Sequence, residues 1–117
     1  MKVLLVDDDI AVLSRVQRAL EAADGFDVTA CDSPMEAMAR ARSEQPDVIL
    51  LDLMMPTMTG ATVLDHLQRD PNTSGIPVIL LTGADPPAVD SLKGARGVIR
   101  KPFDIHSLPE EIRAILS

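Results

Sequence analysis

Three short runs of consecutive apolar residues constrain the fold of this chain more than any other feature. Runs of this length without a polar interruption are typical of parallel strands that are covered on both faces. Two weaker runs, at residues 28–31 and 97–100, contain polar residues, which is typical of strands at a sheet edge. The three strong runs are Val3-Leu4-Leu5-Val6, Val48-Ile49-Leu50-Leu51 and Val78-Ile79-Leu80-Leu81.

Segments with helical periodicity separate the predicted strands. The first follows Asp9, which we expect to cap the helix. Ser33-Pro34-Met35-Glu36 is a capping box with proline at the first helical position, so a second helix should begin at Pro34. It should bury Met35 and Met38, with Ala37 and Ala41 as further candidates. The apolar residues of the first helix are Ile10, Leu13, Val16 and Leu20.

Three further helices are predicted in the second half of the chain. One covers residues 60–68, a short one opens at Pro86-Pro87, and the last follows a second capping box, Ser107-Leu108-Pro109-Glu110. The helix over residues 60–68 should bury Val63, Leu64 and Leu67.

Five strands that alternate with helices predict the architecture of the chain. We expect one α/β domain over residues 1–117, with a doubly wound five-stranded parallel sheet and helices on both of its faces. In such sheets, ligands bind beyond the carboxyl ends of the strands.

The composition excludes several classes of function. The 11 Lys and Arg residues against 18 Asp and Glu give a formal net charge of −7, which argues against direct binding of nucleic acid or anionic lipid. No apolar run approaches the ~20 residues that a membrane span requires, and aspartates interrupt the N-terminal apolar run before a signal peptide could form. We therefore expect a cytoplasmic protein.

Polar side chains stand at the carboxyl ends of the predicted strands. Asp7 and Asp8 follow the first strand, Asp52 ends the third, Thr82 ends the fourth and Lys101 follows the fifth. Two carboxylates ~4 Å apart repel by about 4 kcal/mol at an effective dielectric constant of 20, and one lysine cannot offset three of them. A divalent cation would balance the charge, and a set of oxygen ligands favours Mg²⁺, with Mn²⁺ as the second choice.

This grouping suits phosphoryl transfer to a carboxylate. Asp52 stands alone at the end of a central strand and is ionised at pH 7, so it is the best candidate nucleophile for attack on phosphorus. The metal ion, Thr82 and Lys101 would hold the phosphoryl oxygens as charge develops on them.

Four motifs, in order along the chain, carry a resemblance to a known family. The chain resembles the receiver domains of response regulators, the CheY-like superfamily of two-component phosphorelay systems. That resemblance implies a flavodoxin-like sheet in the order 2-1-3-4-5. The motifs are Val6-Asp7-Asp8-Asp9, Pro46-Asp47-Val48-Ile49-Leu50-Leu51-Asp52-Leu53-Met54-Met55-Pro56, Leu81-Thr82-Gly83, and Lys101-Pro102-Phe103.

The resemblance also implies roles for individual residues. Mg²⁺ would be held by Asp7, Asp8, the phosphoacceptor Asp52 and the backbone carbonyl of Met54. The phosphoryl group would come from a sensor histidine kinase or a histidine phosphotransfer protein, and an output protein or domain that the sequence does not name would read it. The protein would signal, catalysing only its own phosphorylation and dephosphorylation. Thr82 and Lys101 would be the switch hydroxyl and the phosphoryl-binding lysine, and the bond before Pro102 would be cis.

One departure from the family pattern concerns the conformational switch. The family commonly has an aromatic residue three positions before the lysine, and this chain has Val98 there. Valine is too small to fill the space that the switch hydroxyl vacates. We therefore expect that the output of this chain does not use the common aromatic-coupled surface.

Three other functions share part of this pattern. A haloacid-dehalogenase-like phosphatase also has Asp-x-Asp after an apolar strand, but it expects Thr or Val where this chain has Ala11 and a late acidic pair where it has Arg100-Lys101. A flavodoxin-like nucleotide carrier would need a phosphate-binding loop where three aspartates stand. The serious alternative is a receiver-fold docking module that signals without phosphorylation, which the departure at Val98 keeps open.

Overall fold

The computed structural model describes residues 1–53, 59–83 and 94–117, along which strands and helices alternate. The strands are β1 (Lys2–Val6), β2 (Asp27–Cys31), β3 (Val48–Asp52), β4 (Val78–Thr82) and β5 (Gly97–Arg100). The helices are α1 (Ile10–Ala22), α2 (Pro34–Glu44), α3 (Gly60–Arg69) and α4 (Leu108–Leu116). The short helix expected at Pro86-Pro87 lies outside the described residues.

All five strands form one parallel sheet in the order β2-β1-β3-β4-β5, which confirms the predicted topology. The three apolar runs occupy the three central positions, and every residue of β3 and β4 is buried. The two weaker runs form the edges. This arrangement follows from hydrophobicity, because a central strand is covered by helices on both faces whereas an edge strand borders water.

Two hydrophobic clusters cover the two faces of the sheet. The α1–α4 cluster packs Val16 and Leu20 of α1 with Ile112 of α4 against one face. The α2–α3 cluster packs Ala41 of α2 and Val63 of α3 against the other face. The sheet is therefore doubly wound, as the alternation of strands and helices predicts. No helix in the described ranges is long and apolar enough to span a membrane.

Two apolar residues that were expected to be buried are exposed. Met35 is 67% exposed because α2 turns Pro34, Ala37 and Ala41 toward the sheet instead. These small side chains are three and four positions apart, so they share a helical face that Met35 misses by one residue. Ile10 is 68% exposed although it lies three positions before the buried Leu13, because it is the first residue of α1 and stands at the end of the buried stripe.

The helix caps are partly as predicted. Asp9 accepts a hydrogen bond from the Ala11 amide at 2.9 Å, and Ser33 accepts one from the Glu36 amide at 3.4 Å. The second capping box was wrong. Ser107 has helical backbone angles (φ −91°, ψ −7°), and its hydroxyl donates to the carbonyl of Asp104 at 3.0 Å instead of accepting from the helix.

Gly60 fixes the position of α3 at the end of β3. A Cβ atom on Gly60 would lie 2.5 Å from the carbonyl oxygen of Asp52 and 2.6 Å from the Cα atom of Leu53. The Gly60 amide donates to the Leu53 carbonyl at 2.8 Å. The helix can therefore start against the backbone of the strand end only because residue 60 has no side chain.

We expect Gly60→Ala to destabilise the protein by about 2 kcal/mol, because the new methyl group meets backbone atoms that cannot move aside. Urea unfolding measures this loss. Gly75→Ala is the matched control, since nothing lies within 4 Å of a Cβ atom there, and it should change stability by less than about 0.5 kcal/mol. Equal effects of the two substitutions would contradict this account of Gly60.

Candidate functional site at the carboxyl ends of the strands

The structure brings three predicted site residues together. Asp7 follows β1 and Asp52 ends β3, and these strands are neighbours in which Val6 pairs with Leu51. Asp7, Asp8 and Asp52 each present a carboxylate oxygen within 4.8 Å of the other two. Asp7 and Asp52 are buried, at 1% and 3% exposure, whereas Asp8 is exposed.

Lys101 joins this acidic cluster from β5. Its Nζ atom lies 3.2 Å from Oδ2 of Asp7 and 3.4 Å from Oδ1 of Asp52. Its backbone amide donates to the carbonyl of Thr82 at 2.9 Å, which ties it to the end of β4. Burial lowers the pKa of Lys101, but the adjacent Asp52 and Asp7 carboxylates outweigh burial and hold the pKa above its ordinary value. The lysine therefore stays protonated against both acids.

The cluster carries more negative than positive charge. Three carboxylates face one ammonium group, and Oδ1 of Asp7 also accepts the Asp9 amide at 3.0 Å. Every ligand atom that the cluster offers is a hard oxygen, which fits Mg²⁺ or Mn²⁺ and not a metal that prefers imidazole or thiolate. The donor set thus agrees with the predicted cation.

Thr82 ends β4 beside the strand of Asp52. It is fully buried, and its neighbour Leu81 pairs in register with Asp52. The next residue is Gly83, where a Cβ atom would come no closer than 3.9 Å to the Lys101 carbonyl oxygen. A side chain at residue 83 would therefore make only ordinary van der Waals contact with Lys101.

Three further predicted positions are Pro102, Val98 and Met54, and the structure describes the first two. The peptide bond between Lys101 and Pro102 is cis, the isomer that the resemblance implies. Val98 is half-buried and packs against the α2–α3 cluster. Met54, whose backbone carbonyl was the fourth expected metal ligand, lies outside the described residues.

The model of the response regulator receiver domain matches residues 3–113. The chain belongs to this family. The receiver domain is a signalling module of two-component response regulators, so the family assignment places the chain in signal transduction.

Individual relatives agree with this assignment. The receiver domain is 34% identical over 120 residues to protein PilH of Pseudomonas aeruginosa, covering 99% of this chain and 98% of PilH. It is 38% identical over 119 residues to the DNA-binding dual master transcriptional regulator RpaA of Synechocystis, covering 98% of this chain but 48% of RpaA. The chain therefore spans about half the length of RpaA, and likewise of the probable transcriptional regulatory protein TcrX of Mycobacterium tuberculosis.

A solved structure confirms the fold of the receiver domain. The chemotaxis protein CheY4 of Vibrio cholerae superposes with a TM-score of 0.89 at 31% sequence identity, and the match covers 97% of each chain. A likeness of this extent includes all five strands and their order.

Sequence reasoning missed the role of Gly60 at the site of this receiver domain. Gly60 was predicted only as the start of a helix, because nothing local in the sequence distinguishes a close backbone approach from an ordinary helix start.

We expect Mg²⁺ to raise the midpoint temperature of unfolding by about 5 °C when it is present at ten times its dissociation constant. Asp8→Asn should remove most of this rise, because Asp8 supplies one oxygen of the cluster and is exposed, so its loss leaves no buried defect. Asp24→Asn, an exposed acid on another loop, is the control and should keep the full rise. A rise that survives in the Asp8 variant would contradict the assignment.

Lys101→Met should lower the free energy of unfolding by about 2 kcal/mol at pH 7, because it leaves two buried carboxylates without their cation. The fold raises the pKa of Lys101 above its ordinary 10.5, so this stabilisation is fully present below that pH and is lost as the pH rises through the higher value. The difference between wild type and variant should therefore shrink in alkaline urea titrations. Lys2→Met, which removes an exposed lysine, is the control. A difference in unfolding free energy between the wild type and Lys101→Met that stays constant up to about pH 12 would contradict this ion pair.

Proposed function

We propose that residues 1–117 form one receiver domain in which Asp52 accepts a phosphoryl group from a phosphohistidine. The donor is a sensor histidine kinase or a histidine phosphotransfer protein. One observation carries the proposal: the carboxylates of Asp7, Asp8 and Asp52 lie within 4.8 Å of one another, and Lys101 contacts two of them. A solvated acidic loop would not bury two of its three acids against a lysine from a distant strand.

The transfer step follows from the chemistry of these side chains. A carboxylate oxygen of Asp52 attacks phosphorus, an O–P bond forms, and the N–P bond to the donor imidazole breaks. The imidazole leaves with the electron pair of that bond and takes a proton from solvent. A carboxylate nucleophile needs no general base, and Lys101 is placed to hold a phosphoryl oxygen. Thr82, at the end of the next strand, is the second group that we assign to the phosphoryl oxygens.

A magnesium ion belongs to this proposal as the cofactor, with Mn²⁺ as a possible substitute. Asp7, Asp8, Asp52 and the backbone carbonyl of Met54 are the groups that would hold it. When bound, the ion supplies the positive charge that three carboxylates and an incoming phosphoryl group lack. Lys101 then remains available to the phosphoryl group instead of serving as the only counterion.

A groove beside the site gives a phosphodonor protein a surface to approach. A cavity of about 410 Å³ lies between α1 and the connection from β5 to α4, with Val16, Phe103 and Arg15 among its lining residues. Lys101, which contacts Asp7 and Asp52, also lines the groove, so the groove lies beside the acidic cluster. A protein that docks there brings its histidine to the edge of the sheet where Asp52 lies.

Phosphorylation would change the conformation of the domain and so control an output protein or domain. RpaA and TcrX are transcriptional regulators about twice the length of this chain, whereas PilH has nearly the same length. The net charge of −7 opposes direct contact with nucleic acid, so any effect on DNA would pass through another domain or protein. The location that goes with this proposal is the cytoplasm.

Val98 makes the output switch of this chain different from the aromatic-coupled one. Its side chain is half-buried among the residues of the α2–α3 cluster and cannot swing as an aromatic ring does. The absence of that ring does not favour the docking-only alternative, because the phosphoryl-transfer groups do not depend on it. The grouping of the acids with Lys101 weighs against a module that signals without phosphorylation.

Incubation with acetyl phosphate and Mg²⁺ tests the proposal. We expect the intact mass to increase by one phosphoryl group in the wild type and in Asp65→Asn, an exposed acid on α3. We expect no increase in Asp52→Asn or when the metal is chelated. An unchanged wild-type mass, or an increase that persists in Asp52→Asn, would overturn the proposal.

A further inference from the structure

Both carboxylate oxygens of Asp7 are held by hydrogen bonds that come from different parts of the fold. Nζ of Lys101 lies 3.2 Å from Oδ2, and the backbone amide of Asp9 donates to Oδ1 at 3.0 Å. The amide of Asp7 donates to the carbonyl of Cys31 at 3.2 Å, which fixes the backbone of the residue against β2. The orientation of this buried carboxylate therefore depends on two donors, and one of them is the amide two positions later.

The start of α1 sets the position of the Asp9 amide. The Asp9 carboxylate accepts hydrogen bonds from the amides of Ala11 at 2.9 Å and Val12 at 3.4 Å, and its carbonyl accepts one from the Leu13 amide at 3.0 Å. Its backbone is extended (φ −88°, ψ 106°), as is usual for an N-cap residue. These three hydrogen bonds tie residue 9 to the first turn of a helix that is itself anchored on the sheet by its buried side chains.

The Asp9 side chain itself stands apart from the acids that could hold a metal ion. In the part of the chain that the structure describes, the group whose oxygens lie within 4.8 Å of one another contains Asp7, Asp8 and Asp52 but not Asp9. The Asp9 carboxylate is bound to the first turn of α1 instead, where the helix dipole favours a negative charge. Its connection to the acidic cluster is therefore indirect and runs through its backbone amide to Asp7.

We propose that Asp9 is a positioning residue for the metal site of this receiver domain. By capping α1, its side chain holds the amide of residue 9 in place, and that amide holds the Asp7 carboxylate beside those of Asp8 and Asp52. A group that orients a metal ligand from behind contributes to the affinity for the metal although it does not touch the metal. The inference rests on the proposed function, since it requires the acidic cluster to bind Mg²⁺.

Isothermal titration calorimetry with Mg²⁺ at physiological ionic strength tests this role. We expect Asp9→Ala to raise the dissociation constant for Mg²⁺ about tenfold, because no side chain then ties residue 9 to the helix. Asp9→Asn should stay within about twofold of the wild type, since asparagine is an equally good N-cap and keeps the oxygen that accepts from the Ala11 amide. The charge that Asp9→Asn removes is exposed, so salt screens its effect on the ion.

Two further variants separate position from stability. Ser33→Ala is the matched control, because it removes the side-chain cap of α2 as Asp9→Ala removes that of α1. It should lower the urea midpoint of unfolding to a similar extent and leave the dissociation constant for Mg²⁺ unchanged. Asp9→Gly should keep a urea midpoint near that of the wild type, since glycine is tolerated at an N-cap, and still weaken Mg²⁺ binding, since it has no oxygen to hold the first turn.

The outcomes separate this inference from the proposed function. Wild-type affinity for Mg²⁺ in Asp9→Ala and Asp9→Gly would overturn the role of Asp9 and leave the metal site as proposed. An equal loss in Asp9→Asn would reduce the effect to charge, and an equal loss in Ser33→Ala would reduce it to stability, and either result would overturn the role as well. A wild type that binds no Mg²⁺ would instead refute the magnesium site of the proposed function, and the inference with it.

Discussion

The contact of Lys101 with Asp7 and Asp52 is the interaction on which the site depends. Folding buries two carboxylates side by side because the strands that carry them are neighbours, and their repulsion opposes the fold. Lys101 offsets part of that repulsion from the end of β5, which lies two strands from β3 and three strands from β1. The remaining negative charge suits the site to the divalent cation of the proposed function.

The topology explains why residues so distant in sequence meet at one edge. The chain moves outward from β1 to β2 and then crosses back to β3, so the order reverses between β1 and β3. The helices that follow these two strands cover opposite faces, which leaves a crevice beyond the strand ends. Asp7 and Asp52 border that crevice. Gly60 lets α3 begin against the end of β3, so the wall of the crevice lies close to Asp52.

The fold and the acidic cluster could be predicted because each depends on short sequence patterns, and the parallel topology brings the ends of these patterns to one edge of the sheet. An unbroken apolar run identifies a buried parallel strand, and the polar residue after it must lie at the common edge. The two wrong predictions, at Met35 and Ser107, come from patterns that are weak or that do not fix the local backbone. Met35 was misplaced by one residue because α2 uses alanines for packing, and small side chains give a weak periodic signal. The Ser107 box failed because a sequence match does not fix the backbone angles that capping requires.

β5 connects the site to both layers of the molecule. Lys101 and Arg100 stand at its carboxyl end, Val98 packs on the α2–α3 face, and Gly97 brings the strand close to α4. A Cβ atom at Gly97 would lie 2.7 Å from Cγ2 of Ile115, so strand and helix are in close contact. Under the proposed function, and with no bulky ring at residue 98, phosphorylation of Asp52 would act through β5 itself, because a displacement of β5 reaches α4 on one face and the α2–α3 cluster on the other.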